Sequence, residues 1–337
     1  MAQGSFKEII DGITQFLIDF NARDEEENEE DGIFIIKKAN KSLSDGQKTN
    51  DPRSLWKELW YEGEICCLFS DSNLGKSIYA VQIANSIAAV ENVMYFDFEL
   101  AEKQFQLRYT DDETGELFHF PSRLYRVDLN CEQLDPNSFE DIVVDQILNL
   151  ALKRATKILI IDNLTYLCST MEKSEAAGTL MQRLVSIKKQ YGFSILVLAH
   201  TPKRNLWELL NENHLAGSKR LYNMFDSCFA IGKSAQGEEL RYIKQLKVRW
   251  GKKTYGEGHV LVAQIEKIGA FLQFVDKGFA SEYEHLNMSN EEMKEQVSKT
   301  VMELKEKGCS YRDIARQLNL KKSTVGNIIK RYEEDHK

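Results

Sequence analysis

Apolar positions follow two regimes along the chain. From about residue 54, short runs of apolar and β-branched residues alternate with segments of helical period. The runs are ICCLFS (65–70), VMYFDFEL (93–100), KILIID (157–162) and SILVLAH (194–200). The segments between them, 76–90, 101–109, 138–155 and 176–192, place apolar residues three and four apart. Such alternation predicts an α/β fold, a mostly parallel sheet with helices on both faces. From about residue 226 the runs CFAIGKS, ELRYIKQLKVRW, GHVLVAQIEKIG and AFLQFVD succeed one another across tight turns, which predicts an antiparallel extension of that sheet.

The ends read differently. Residues 5–20 carry Phe6, Ile9, Ile10, Ile13, Phe16, Leu17 and Phe20 at helical spacing and predict an amphipathic helix. The block DEEENEED (24–31) follows; so dense a negative charge repels itself and predicts a solvated linker. IFIIKKA, just after it, is compatible with a short strand. Residues 280–292 are polar and predict a linker, and 292–334 are helical again. The organisation expected is an N-terminal helix and acidic linker over 1–51, an α/β domain over 52–283 and a small all-α domain over 284–337.

Composition narrows this little. A hydrophobic fraction of 42% in 337 residues is enough for a sizeable core. No apolar run reaches the roughly 18 residues of a membrane span. The N-terminus lacks the basic-then-apolar pattern of a secretory signal, so the expectation is a soluble cytoplasmic protein without a membrane partner. The six cysteines form no C-x-x-C pair and no zinc-spaced cluster, which fits a reducing compartment. The net charge of −8 neither draws nucleic acid globally nor excludes local basic patches.

The candidate chemistry lies at the ends of the apolar runs. Ser70, Asp71, Ser72, Asn73, Leu74, Gly75, Lys76 and Ser77 match G-x-x-x-x-G-K-[ST] except for Ser70 at the first glycine, between a predicted strand and a predicted helix that continues through Ile78. Backbone N–H groups of such a loop wrap phosphates, the lysine reaches the β- and γ-phosphates, and the Ser77 hydroxyl ligates Mg²⁺; ATP and Mg²⁺ are the cofactors expected. Asn73 tolerates the left-handed conformation that a tight loop needs. Asp162 ends its run on the ligand side of a parallel sheet, where a second Mg²⁺ anchor belongs; an N-cap is the simpler alternative. Glu99 ends the run between them in sequence, on an expected neighbouring strand, and suits activation of a water. Asp97, two residues earlier, is its rival. His200 ends the fourth run and is a candidate γ-phosphate sensor.

This order of P-loop, glutamate, aspartate and polar residue resembles the RecA-type ATPase core. DFELAEKQFQLR (97–108) is similar to a pattern of DnaB-type replicative helicases, and LKVRWG (246–251) resembles their K-x-R-x-G element. Over roughly 52–275 the chain looks most like plasmid RepA hexameric helicases and related AAA-type ATPases of mobile elements. The resemblance implies that Glu99 is the catalytic base and Arg108 stacks on adenine. It also implies that Lys247 and Arg249 reach a neighbouring subunit's ATP, so a homo-oligomer such as a hexamer is expected. In that family the loop after the His200 run faces single-stranded DNA. Here it carries Lys203, Arg204, Lys219 and Arg220, which either track phosphates or simply stay solvated.

Three helices are expected at 292–307, 311–318 and 322–334, with Ser310 capping the second. Val301, Leu304, Ile314, Ala315, Leu318, Leu320, Val325 and Ile328 would form their core. The pattern resembles the helix-turn-helix of resolvases and transcription regulators, which implies a duplex-DNA contact through Lys321, Lys322, Ser323, Thr324, Asn327 and Lys330. A helical bundle for protein contacts is the alternative. The function expected is an ATP-hydrolysing, DNA-associated motor, a replicative helicase of a plasmid or mobile element. An ATP-switched DNA-binding regulator, or an accessory protein without unwinding activity, is the competing reading.

Overall fold

The computed structural model describes residues 12, 14–15, 29–31, 33–130, 139–167, 174–201, 208–215, 219–286 and 290–335. The chain divides into two compact units, Met1–Pro52 and Arg53–Lys337.

In the first unit, β1 (Glu29–Asp31) pairs antiparallel with β2 (Phe34–Ile36), and α1 (Ala39–Gln47) follows. The apolar run is thus a strand, and the end of the acidic block is its partner rather than plain linker. The helix expected over 5–20 lies almost wholly outside the described residues.

The second unit opens with a small hairpin, β3 (Ser54–Trp56) and β4 (Trp60–Tyr61). Then come β5 (Ile65–Ser70), α2 (Lys76–Ala88), β6 (Val93–Asp97), α3 (Glu102–Arg108) and β7 (Leu124–Val127). They are followed by α4 (Phe139–Lys153), β8 (Ile158–Asp162), α5 (Leu164–Leu167), α6 (Ser174–Tyr191), β9 (Ser194–His200) and α7 (Lys219–Met224). β10 (Ser227–Lys233), β11 (Leu240–Lys247), β12 (Val260–Ile268) and β13 (Phe271–Ala280) complete a nine-stranded sheet of order β13-β12-β11-β10-β5-β9-β8-β6-β7. The six strands from β10 to β7 are parallel, and β11, β12 and β13 add to them antiparallel.

The central strands bury both faces, which is why they read as continuous apolar runs. Ile65, Cys67 and Phe69 of β5 face one core with Val144, Ile147, Met181 and Leu184 of α4 and α6. Cys66 and Leu68 face the other with Tyr79, Ala80, Ile83 and Ala84 of α2. The same alternation runs through β6, β8 and β9, so each helix layer meets its own set of side chains. Burial pushes the Cys66 thiol well above its ordinary value, leaving a small apolar filler.

Strand order corrects one expectation. β6 pairs with β8, and β9 separates β8 from β5, so the strand leading to Glu99 is not beside the P-loop strand. A second correction concerns 280–292. A 3-10 turn at Glu282–His285 is buried there, and Glu282 holds Lys244 Nζ at 2.6 Å and the Leu210 N–H at 2.7 Å.

The last helices, α8 (Asn290–Glu306), α9 (Tyr311–Gln317) and α10 (Lys322–Asp335), enclose Val301, Ile314, Ala315, Leu318, Val325 and Ile329. Ile329 is the buried position on α10, and Ile328 only packs against the cluster. The Ser310 hydroxyl caps α9 by accepting from Asp313 N–H.

Candidate nucleotide site

The carboxyl ends of the parallel strands converge. Register places Ser70 opposite His200 and Asp97 opposite Asp162, so the loops after β5, β9, β8 and β6 leave the same edge of the sheet. A cleft of about 710 Å³ opens there, lined by the loop from Asp71 to Ile78 together with Glu99, Arg108, His200 and Arg241.

The loop after β5 has the backbone of a phosphate cradle. Asn73 (φ 63°) and Gly75 (φ 91°) are left-handed, and Gly75 leads into α2. A side chain at Gly75 would also strike Ile265 and Phe274, because the β12–β13 hairpin packs directly over the loop. Ser70 is not left-handed, so a residue with a side chain is accommodated at the missing glycine. It is buried, and its hydroxyl donates to the Asp71 carbonyl at 2.8 Å and accepts from Lys76 Nζ at 3.3 Å. The Lys76 ammonium is buried too and donates to the carbonyls of Ser70 and Asp71 at 3.0 and 3.2 Å. These carbonyls hold the lysine where phosphate oxygens can take their place. Burial lowers its pKa, with Asp162, Glu99 and Asp71 opposing.

The carboxylates are differentiated by their partners. Asp97 is buried; it accepts from Arg126 Nε at 2.8 Å and from the Leu100 N–H at 3.0 Å. It therefore fixes the turn after β6 and is spoken for. Glu99 is exposed at the rim, and its Oε2 accepts from Asn163 Nδ2 at 2.9 Å. Asp162 is buried, accepts from Tyr95 O–H at 2.5 Å and interacts with the Ser77 hydroxyl. Burial raises its pKa to about 6, against the two hydroxyl bonds and with Asp97 and Glu99 adding to the rise. A buried carboxylate bonded to a hydroxyl at a helix N-terminus offers the hard oxygen donors that a divalent cation takes. Ser77 and Asp162 are the residues that would hold Mg²⁺.

His200 connects the pieces. Lys76 Nζ lies 3.2 Å from its Nδ1, and Asn163 Nδ2 lies 3.2 Å from its Nε2. An ammonium has only donors, so Nδ1 accepts and the ring proton sits on Nε2, where it faces the Asn163 NH₂ group without a hydrogen bond between the two donors. Burial, then the Lys76 charge, lower its pKa and keep it neutral. Beyond it, the Thr201 hydroxyl donates to the Asp71 carboxylate and the Thr201 N–H to the Ser70 carbonyl, tying the end of β9 to the P-loop.

Other expected residues lie apart. Lys247 ends β11 opposite Cys228, at the far edge of the sheet, whereas Arg241 at the other end of β11 faces the cleft. Six residues of strand separate them, about 20 Å. Lys247 Nζ donates to the Tyr222 and Asn223 carbonyls, and Arg249 Nη1 pairs with Asp226 at 3.2 Å. Neither touches its own subunit's cleft. Lys203 and Arg204 lie outside the described residues, and of Lys219 and Arg220 only the backbone, opening α7, is described. Lys321, Lys322, Ser323, Thr324, Asn327 and Lys330 are exposed at or along α10.

Sequence reasoning missed Asn163, Tyr95, Arg126 and Arg241. Asn163 has a visible signal, since it directly follows Asp162. The others depend on strand neighbours.

Residues 38–205 match the sequence family described as an AAA domain. No curated protein sequence matches the chain. Among solved structures, a KaiC-like protein from the hyperthermophilic archaeon Pyrococcus horikoshii is similar at 15% identity and a TM-score of 0.46, over 64% of this chain and 91% of that one. The AAA-domain match supports an ATPase with a nucleotide-binding core.

Proposed function

We propose that this chain, with its AAA-type nucleotide-binding domain, is a Mg²⁺-dependent ATPase that acts on DNA as an oligomer, a replicative helicase of a plasmid or mobile element. The observation that carries the ATPase reading is the meeting of Lys76, Ser77, Asp162, Glu99 and His200 at one edge of the sheet. The loop amides and Lys76 hold the phosphates, and Ser77 and Asp162 hold the metal. Bound Mg²⁺ supplies neutralisation of charge on the β- and γ-phosphate oxygens. Glu99, at the open rim, orients and deprotonates the attacking water. Asn163 steadies that carboxylate beside His200, whose Nδ1 accepts from Lys76. Arg249, remote from its own cleft and paired with Asp226 through an exposed side chain, enters a neighbour's cleft and neutralises charge there.

The exposed basic residues of α10 favour a second reading, an ATP-switched regulator bound to duplex DNA. One experiment separates the two: ATPase rate without DNA, with single strands and with duplex, alongside strand displacement and molecular mass with and without ATP. Stimulation by single strands, displacement and an ATP-stabilised ring support the motor. Duplex binding with ATP-dependent assembly and no displacement supports the regulator. No ATPase activity under any condition ends both.

A further inference from the structure

Among the described residues, three cationic side chains are buried: Lys76, Arg241 and Lys244. Lys244 is paired with Glu282 at 2.6 Å. Lys76 and Arg241 have no carboxylate partner, and both line the same cleft. A buried cation with no carboxylate in direct contact is costly unless a bound anion supplies the close counter-charge. For Lys76 that partner is the phosphate chain.

Arg241 has the same requirement. It lies near the start of β11, opposite Lys233, and is 6% exposed. Its Nε donates to the Leu74 carbonyl, inside the P-loop, at 3.3 Å. Its Nη1 donates to the carbonyls of Glu238 and Leu240 at 2.5 and 2.9 Å. Nη2 makes no bond to the described protein. Burial lowers the Arg241 pKa, and the Glu239 and Glu238 carboxylates, which line the cleft, oppose this only from beyond ion-pair distance.

We propose that Arg241 is a second phosphate-binding cation of its own subunit's site. One edge of its guanidinium braces the P-loop at Leu74, and Nη2 takes a phosphate oxygen of the bound nucleotide. The planar fork suits both tasks at once, which a lysine's point charge does not. This rests on the nucleotide reading above and adds a residue to it.

The test is a fluorescence titration with a labelled ATP, competed by inorganic triphosphate, over a range of salt, on the wild type, Arg241→Lys and Arg241→Gln. Loss of a charge-assisted bond predicts that Arg241→Gln weakens ATP and triphosphate by about tenfold, and Arg241→Lys by less. The salt dependence of affinity should flatten in Arg241→Gln and persist in Arg241→Lys. Arg241→Met, also neutral, gives the same reading if Arg241→Gln does not fold. Wild-type binding with affinity changed less than about twofold in the neutral variants overturns the inference alone. So do equal losses in the Lys and Gln variants with unchanged salt dependence, the mark of a brace and nothing more. A wild type that binds neither ATP nor triphosphate overturns the nucleotide reading and this inference together.

Discussion

The Asn163 amide donates to the Glu99 carboxylate at 2.9 Å, a bond running from the end of β8 to the turn beyond β6. It aims an otherwise exposed carboxylate inward, over the cleft. The Asn163 Oδ1 is held in turn by the Tyr166 N–H at 3.0 Å, so the amide cannot rotate freely.

Replacing Glu99 with Gln should therefore lower kcat by about 100-fold or more, with ATP affinity nearly unchanged. Asn163→Ala should lower kcat less, about tenfold, because Glu99 remains but is no longer steered. Single-turnover hydrolysis beside equilibrium ATP binding checks both. A loss of binding rather than of rate in Asn163→Ala would place its role in the loop instead of in Glu99.

The parallel sheet, the P-loop and Asp162 were legible because each belongs to a periodic apolar run with its polar residue at the end. β7 was not, since LYRV at an edge is only half-buried and carries no long apolar signal. Arg126 on that strand pairs with Asp97, a contact that exists only once β7 lies beside β6. Tyr95 and Arg241 escaped for the same reason. Their roles come from which strand is next to which, and side-chain period says nothing about strand order. The turn at Glu282–His285 reads as linker because its acidic residue is buried against Lys244, a partner 38 positions away.

Ser70 is a working member of the loop. Its hydroxyl helps hold Lys76, so Ser70→Ala should destabilise the nucleotide-free protein by about 1 kcal/mol, the usual worth of one hydrogen bond. Thermal melting without nucleotide measures this. Once phosphate has taken over the lysine, the variant should melt closer to wild type in saturating ATP than in its absence.

Arg249 tests the oligomeric site. Arg249→Ala should keep ATP affinity while its ATPase rate loses the rise with protein concentration expected of a wild type that assembles. Mixing it with Glu99→Gln, each impaired alone, should restore part of the rate, since a mixed interface can carry one intact Glu99 and one intact Arg249. No recovery in mixed assemblies would return Arg249 to its own subunit's Asp226 pair.

Asp162 gives a signed pH prediction. Its folded pKa, about 6, lies above the ordinary carboxylate value of 3.8. The folded state thus binds more protons than the unfolded state between these values, and stability falls as pH rises through that window. Above pH 6 the buried charge costs on the order of 3 kcal/mol. Asp162→Asn should melt higher than wild type at pH 8 without Mg²⁺, and the gain should shrink as pH falls from 6 towards 4. The same variant should lose Mg²⁺-dependent turnover, because the metal needs the carboxylate ionised. An equal gain at pH 4 and pH 8 would trace it to packing instead of charge.

Gly258 reports on how the last three helices meet the sheet. A side chain there would lie 2.6 Å from the Leu318 carbonyl carbon, 2.7 Å from Asn319 N and 2.7 Å from the Gln317 carbonyl oxygen. These are backbone atoms of the turn between α9 and α10, which cannot step aside as a flexible side chain could. Gly258 lies in the same β11–β12 connection as Arg249, so the loop that meets the turn of the helical module also carries that arginine. Overpacking at such a contact costs about 1–3 kcal/mol. Gly258→Val should therefore loosen the module from the sheet while leaving the module's own core, around Val301 and Val325, intact. Calorimetry should show one wild-type transition split or broadened, and limited proteolysis should release the module. If the docking also sets the position of Arg249, the variant's assembled ATPase rate should fall with ATP affinity unchanged. Full activity with a split melting transition would show that the module and the arginine act independently.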